Sequence, residues 1–261
     1  MDLKIFQVAA FTNRPFGGNP AAVVPLDEWL DDQLMQKIAA ENNLSETAFL
    51  VPTGEDEWHI RWFTPTVEVP LCGHATLASA AVIDARLNQR RWPIRLQSAS
   101  GPLFVDRKDA SYVLDFPVLK PRPVKLPDGF EAALGAKVSE SFIGRDIYVV
   151  VLRDEASVAA LQPDFPAIAS LIEHGVVATA PGGNVDFVSR FFAPGIGIDE
   201  DPVTGAAHCV LTPFWSERLG KKVLVARQIS KRVGELWCED QGERVKLGGS
   251  AVFFMSGTIT I

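Results

Sequence analysis

The sequence predicts an α/β protein built as two domains of one design, each wrapped around a central buried helix. Three observations carry that expectation. Strand-like alternation and helix-like spacing follow one another along the chain. Two helical stretches, residues 75–87 and 206–215, are small or apolar almost throughout, and a helix without a polar face is a buried one. Each is preceded by the same kind of string. A strand ends in Phe-x-Pro (Phe63-Thr64-Pro65 and Phe192-Ala193-Pro194). A carboxylate-bearing loop, a Pro and a Gly follow, with a spacing that differs by only one to three residues.

The elements follow in order. Residues 4–10 alternate weakly as a strand and run into a turn-rich segment, Phe11 to Pro20. Residues 21–25 form a short apolar strand. Leu34, Met35, Ile38 and Ala39 sit at helical spacing, so 31–42 is a helix capped by Asp31 or Asp32 and ended by Asn42-Asn43. Residues 46–51 form a strand with Glu46, Ala48 and Leu50 on one face and Thr47, Phe49 and Val51 on the other. Further strands are expected at 58–63, 94–97, 103–106 and 112–116. Pro117, Pro121, Pro123 and Pro127 then mark a linker, dividing the chain into domains 1–118 and 119–261, with the final strand allowed to return to the first. In the second half, 147–152, 175–179 and 185–192 read as strands, and 155–161 and 166–173 as helices.

Composition narrows the function. The chain has 261 residues, 47% hydrophobic and 22% charged, which excludes bulk disorder. Its net charge of −7, from 25 Lys+Arg against 32 Asp+Glu, opposes docking to nucleic acid or to anionic membranes. A small anionic ligand remains open, because a local site can override the overall sign. Cys72, Cys209 and Cys238 are too few and too scattered for a disulfide framework or a C-x-x-C site. With no signal-like start and no apolar run near the ~18 residues that span a bilayer, a cytoplasmic protein is expected. There is no G-x-G-x-x-G turn, P-loop, G-x-S-x-G elbow or two-His metal spacing.

The two buried helices begin directly after Gly73 and Gly205. A helix N-terminus offers unpaired N–H groups and about half a positive charge. If the two halves face each other, both N-termini point into one cleft and can hold a carboxylate without arginine; alternatively, the glycines only close tight turns. His74 lies in the first turn of its helix, where the dipole is expected to lower its pKa and favour neutral imidazole. His59, His174 and His208 read as structural. Asp201 precedes the second helix as an N-cap, a ligand contact or both. Glu46 is either a rim carboxylate or an acid on an apolar face, and in the second case desolvation is expected to raise its pKa into general acid–base range. Cys72 would be activated as a thiolate at a helix N-terminus. A two-thiol racemase, however, needs a second cysteine where this chain has Pro202 or Thr204, so Cys72 reads as a packing residue.

Four motifs resemble those of the phenazine-biosynthesis isomerase (PhzF-like) family, in that family's order and spacing from end to end. They are Phe11-Thr12 through Gly18-Asn19-Pro20-Ala21-Ala22-Val23; Asn43-Leu44-Ser45-Glu46-Thr47; Phe63-Thr64-Pro65 through Gly73-His74; and Glu200-Asp201-Pro202-Val203-Thr204-Gly205. The resemblance implies a diaminopimelate epimerase-like fold, with two similar domains, each a curved mixed sheet or barrel around a buried helix. It implies a cofactor-free, metal-free isomerase acting on a small anionic carboxylate, usually as a homodimer; in the phenazine enzyme the substrate is a dihydro-hydroxyanthranilate. By match, Glu46 is the proton shuttle, His74 and Asp201 orient the substrate, and Asn19, Gly73, Thr204, Gly205 and Ala206 contact it. Ala206 stands where the phenazine enzyme has a serine. Cys72 replaces a small residue there and is closer to the epimerase pattern. The alternatives are an amino-acid epimerase or racemase using Cys72, and a non-catalytic metabolite-binding protein on the same scaffold.

Overall fold

The computed structural model describes residues 1–54, 56–87 and 91–261. In chain order the first elements are β1 (Asp2–Ala10), β2 (Asn19–Pro25), α1 (Asp32–Asn42), β3 (Glu46–Gly54), β4 (Glu57–Phe63) and β5 (Glu68–Val69). They continue as α2 (Gly73–Arg86), β6 (Ile94–Ser98), β7 (Gly101–Lys108), β8 (Ser111–Pro117), β9 (Arg122–Pro123) and α3 (Phe130–Leu134). Next come β10 (Glu140–Gly144), β11 (Ile147–Val151), α4 (Glu155–Ala159), α5 (Phe165–Leu171), β12 (Gly175–Pro181), β13 (Phe187–Ala193) and β14 (Ile198–Asp201). The chain finishes with α6 (Gly205–Leu219), β15 (Val223–Gln228), β16 (Gly234–Asp240), β17 (Arg244–Gly249) and β18 (Ala251–Thr260). It divides into two units, Met1–Asp115 with Gly248–Ile261, and Phe116–Leu247.

In the first unit β1 lies antiparallel between β18 and β2. β2 runs parallel to β3, and β3 antiparallel to β4, which pairs antiparallel with β5 and parallel with β6. The second unit repeats this wiring. β10 is antiparallel to β11, β11 parallel to β12, and β12 antiparallel to β13. β13 then pairs antiparallel with β14 and parallel with β15. The repeated Phe-x-Pro string therefore marks a repeated unit: strand, short return strand, buried helix.

Strand alternation sorts the side chains. In the first unit Ala22, Val24, Phe49 and Val51 point to one face, where they pack with Met35, Ile38 and Ala39 of α1. Asn19, Ala21, Glu46, Ala48 and Leu50 therefore share the opposite face, against α2, in which every residue from His74 to Ile83 is buried. In the second unit Val150, Val176, Ala178 and Val188 pack with Phe130, Leu134, Val158 and Ile168 of α3, α4 and α5. The central helix there is α6, whose buried residues include Ala207 to Thr212. Pro213 lies inside it and has no N–H to give to the carbonyl of Cys209. That carbonyl instead accepts the N–H of Leu119, at 3.2 Å.

The proline-punctuated span read as a linker carries β9, which pairs antiparallel with β10. A two-residue strand tolerates Pro123 because an edge position need not donate on both sides.

Candidate functional site

The outer helices α1, α4 and α5 start from aspartates, Asp31, Asp154 and Asp164, whose carboxylates accept first-turn N–H groups. The two central helices start differently. The N-cap of α2 is Cys72 and that of α6 is Thr204, and neither side chain caps its helix.

At the start of α2 four side chains converge. Glu46 opens β3 on the face that meets α2, and its Oε2 lies 3.1 Å from Nε2 of His74. The other ring nitrogen, Nδ1, lies 3.2 Å from the side-chain amide of Asn19 and 3.5 Å from Sγ of Cys72. His74 is 5% exposed and Asn19 is fully buried, whereas the Glu46 side chain keeps 13% of its surface open. Asn19 thus stands behind the imidazole, and Glu46 is the member open to the outside.

The electrostatics correct two sequence expectations. Burial pushes the Glu46 carboxyl up, but the imidazole beside it more than reverses this, so its pKa is lowered rather than raised. Burial likewise pushes His74 down, yet the Cys72 sulfur and the Glu46 carboxylate hold it well above its ordinary value. Burial drives the Cys72 thiol up to about 11, so at neutral pH the carboxylate is the charge acting on His74. The shift runs opposite to the one the helix dipole alone suggests, because a full charge at 3.1 Å outweighs a half charge spread over a helix end. Cys72, read as packing, is buried as a neutral thiol, and its Sγ also touches the His74 ring.

In the second unit the turn before α6 is held from β15. The Gln228 side chain is fully buried; its Oε1 accepts the N–H of Thr204 at 2.9 Å and its Nε2 donates to the carbonyl of Asp201 at 2.7 Å. The Ser230 hydroxyl donates to the carbonyl of Pro202 at 2.9 Å. Gly234 packs against Val203 so closely that a Cβ there would lie 2.2 Å from Cγ2 of Val203. Asp201 is not the N-cap: its Oδ2 accepts the Thr204 hydroxyl. Gly205 is buried and Ala206 exposed at the start of the helix. His208 is structural, as expected, and fully buried; its Nδ1–H donates to the Thr204 carbonyl at 2.8 Å.

Sequence reasoning brought out Glu46, His74, Asp201 and the turn residues. It missed Gln228 and Ser230, which carry no motif, and the contact of Cys72 with His74.

Residues 8–257 match the family described as Phenazine biosynthesis-like protein (PhzC-PhzF). An uncharacterized isomerase of Pseudomonas aeruginosa is 52% identical over the full length of both chains. A crystal structure of a phenazine biosynthesis protein of the PhzF family from Enterococcus faecalis is 46% identical, with a TM-score of 0.97 and complete coverage of both chains. A hydroxyproline epimerase from Agrobacterium vitis has a TM-score of 0.63 at 8% identity, covering 99% of this chain and 92% of its own, which is likeness of fold alone.

Proposed function

Because the chain belongs to the phenazine biosynthesis-like (PhzC-PhzF) family and is an isomerase, we propose that it moves a proton between carbons of a small carboxylic acid, with Glu46 as the shuttling group. The observation that carries this reading is the Glu46 carboxylate held beside the His74 imidazole at the start of a buried helix. A carboxylate ionised at neutral pH is ready to accept a proton. Glu46 takes it from a carbon whose electron pair is spread into the adjoining conjugated or carboxylate group. The protonated Glu46 exchanges with solvent and then gives a proton to a second carbon of that system. No electrons are gained or lost, so the step needs no external oxidant or reductant. His74 keeps Glu46 in its basic form before the transfer, and Asn19 fixes the ring from behind. Gly73 lets substrate approach the helix end closely.

The turn of the second unit contributes in its own right. The backbone around Thr204, Gly205 and Ala206 is suited to a carboxylate, since α6 begins without a side-chain cap. Asp201, braced through Thr204 and Gln228, orients a polar substituent. The family resemblance also supports a homodimer, and the three scattered, free cysteines support a cytoplasmic setting; among the described residues no helix is long and apolar enough to cross a membrane.

The test is incubation with a panel of small unsaturated and amino carboxylic acids in deuterated water, followed by mass spectrometry. Wild type is expected to put deuterium on carbon in at least one acid, and Glu46→Gln to lower that rate ~10²–10⁴-fold. Full exchange in the variant would remove Glu46 from the mechanism.

A second reading, a thiol-assisted epimerase, is favoured by the 3.5 Å contact of Cys72 with His74. It predicts that Cys72→Ala abolishes α-deuteration of an amino acid; survival of that exchange refutes it.

A further inference from the structure

Glu46, Cys72 and His74 offer a carboxylate oxygen, a sulfur and an imidazole nitrogen that all lie within 4.8 Å of one another. Apart from the 3.1 Å ion-pair contact between them, Oε2 of Glu46 and Nε2 of His74 are buried without a hydrogen-bond partner. We infer that this trio is a three-donor site for a thiophilic divalent cation of the Zn2+ or Cd2+ kind, and that its occupancy stops proton transfer. The binding stands on geometry alone; only the inhibition rests on the function proposed above.

Tetrahedral zinc with sulfur, nitrogen and oxygen ligands separates its donors by about 3.3–3.8 Å. The 4.8 Å limit on the trio's separation lies about 1 Å above that spacing. The donor set is selective: sulfur and imidazole suit Zn2+ and Cd2+, whereas Mg2+ and Ca2+ call for six or more oxygens. The open side of Glu46 leaves the fourth position to solvent or substrate. A metal seated here releases to solvent the thiol proton and the proton on the ligating imidazole nitrogen, and it occupies the carboxylate oxygen that the shuttle needs.

The experiment is titration of the full chain with Cd2+, read by the ultraviolet sulfur-to-cadmium charge-transfer band, with excess Mg2+ present throughout. Wild type is expected to develop the band up to one metal per chain, and Cys72→Ser, with an unchanged circular dichroism spectrum, to lack it. Should Cys72→Ser not fold, Glu46→Gln and His74→Gln serve instead; each keeps the thiol and is expected to weaken cadmium binding roughly tenfold or more. A wild-type protein with no band, a band that persists in Cys72→Ser, or unchanged affinity in both Glu46→Gln and His74→Gln overturns the inference. Because the readout is spectroscopic, it is decided separately from the isomerase reading: a band with no proton exchange on any acid supports the metal site while refuting the function.

Discussion

His208 makes the stability of the second unit sensitive to mild acid. It is fully buried in α6, with Nδ1 committed to the Thr204 carbonyl at 2.8 Å and Nε2 without a hydrogen-bond partner. Burial pushes its pKa down to about 4, with the Thr204 carbonyl opposing only in part. In the unfolded chain the same imidazole titrates near 6.5. The folded value is the depressed one, so the stabilisation is complete above pH 6.5 and is lost as the pH falls from there through 4. The full span is worth about 3 kcal/mol, of which about 2 kcal/mol is lost between pH 7 and pH 5. Asp186 and Asp240, whose pKa values are lowered, also lose stability in acid, but at lower pH. The perturbation is therefore His208→Gln, which keeps a donor for the Thr204 carbonyl and cannot titrate. Urea unfolding of both proteins at pH 7 and pH 5 isolates the group. Wild type is expected to lose about 2 kcal/mol more than the variant over that interval. Parallel losses would refute the argument, because they would mean that His208 charges in the folded state as easily as in the unfolded one.

Two further substitutions test the local architecture. Gln228→Leu removes the side-chain bonds to Asp201 and Thr204 and leaves their backbone groups buried, so urea unfolding should show a cost of about 1–3 kcal/mol. Gly18 has φ +63°, and a Cβ there would lie 2.1 Å from the Ala10 carbonyl oxygen, so Gly18→Ala should lower the melting temperature or abolish folding; an unchanged melting temperature contradicts that reading.

Much of the fold was legible because periodicity is a local property. The apolar run after Gly73 announces a helix buried on all sides, and α2 is one. The limits were harder. α6 continues past Trp215 through Glu217 and Arg218 to a left-handed cap at Gly220, because its last turn surfaces and takes polar residues without ceasing to be helical. The short strands β5 and β14 were invisible, since two to four residues carry no period and are defined only by the partner they pair with. The site was legible in part for the same reason. Alternation places Glu46 on the face of Ala48 and Leu50, but the meeting with His74, 28 positions away, depends on how β3 packs on α2. Both charge states followed from that meeting. Burial and a helix end can be read from a string of letters; a counter-ion from another element cannot. Gln228 makes the same point, since nothing around it marks a residue that holds a turn 24 positions upstream.

The account turns on a charged pair, a Glu46 carboxylate against a His74 imidazolium, and nitrogen-15 NMR of the ring reports it directly. At neutral pH the His74 nitrogens of the wild-type protein should carry imidazolium shifts, and in Glu46→Gln they should move to those of a neutral ring. A neutral His74 in wild type, or a ring whose state is the same in both proteins, contradicts it.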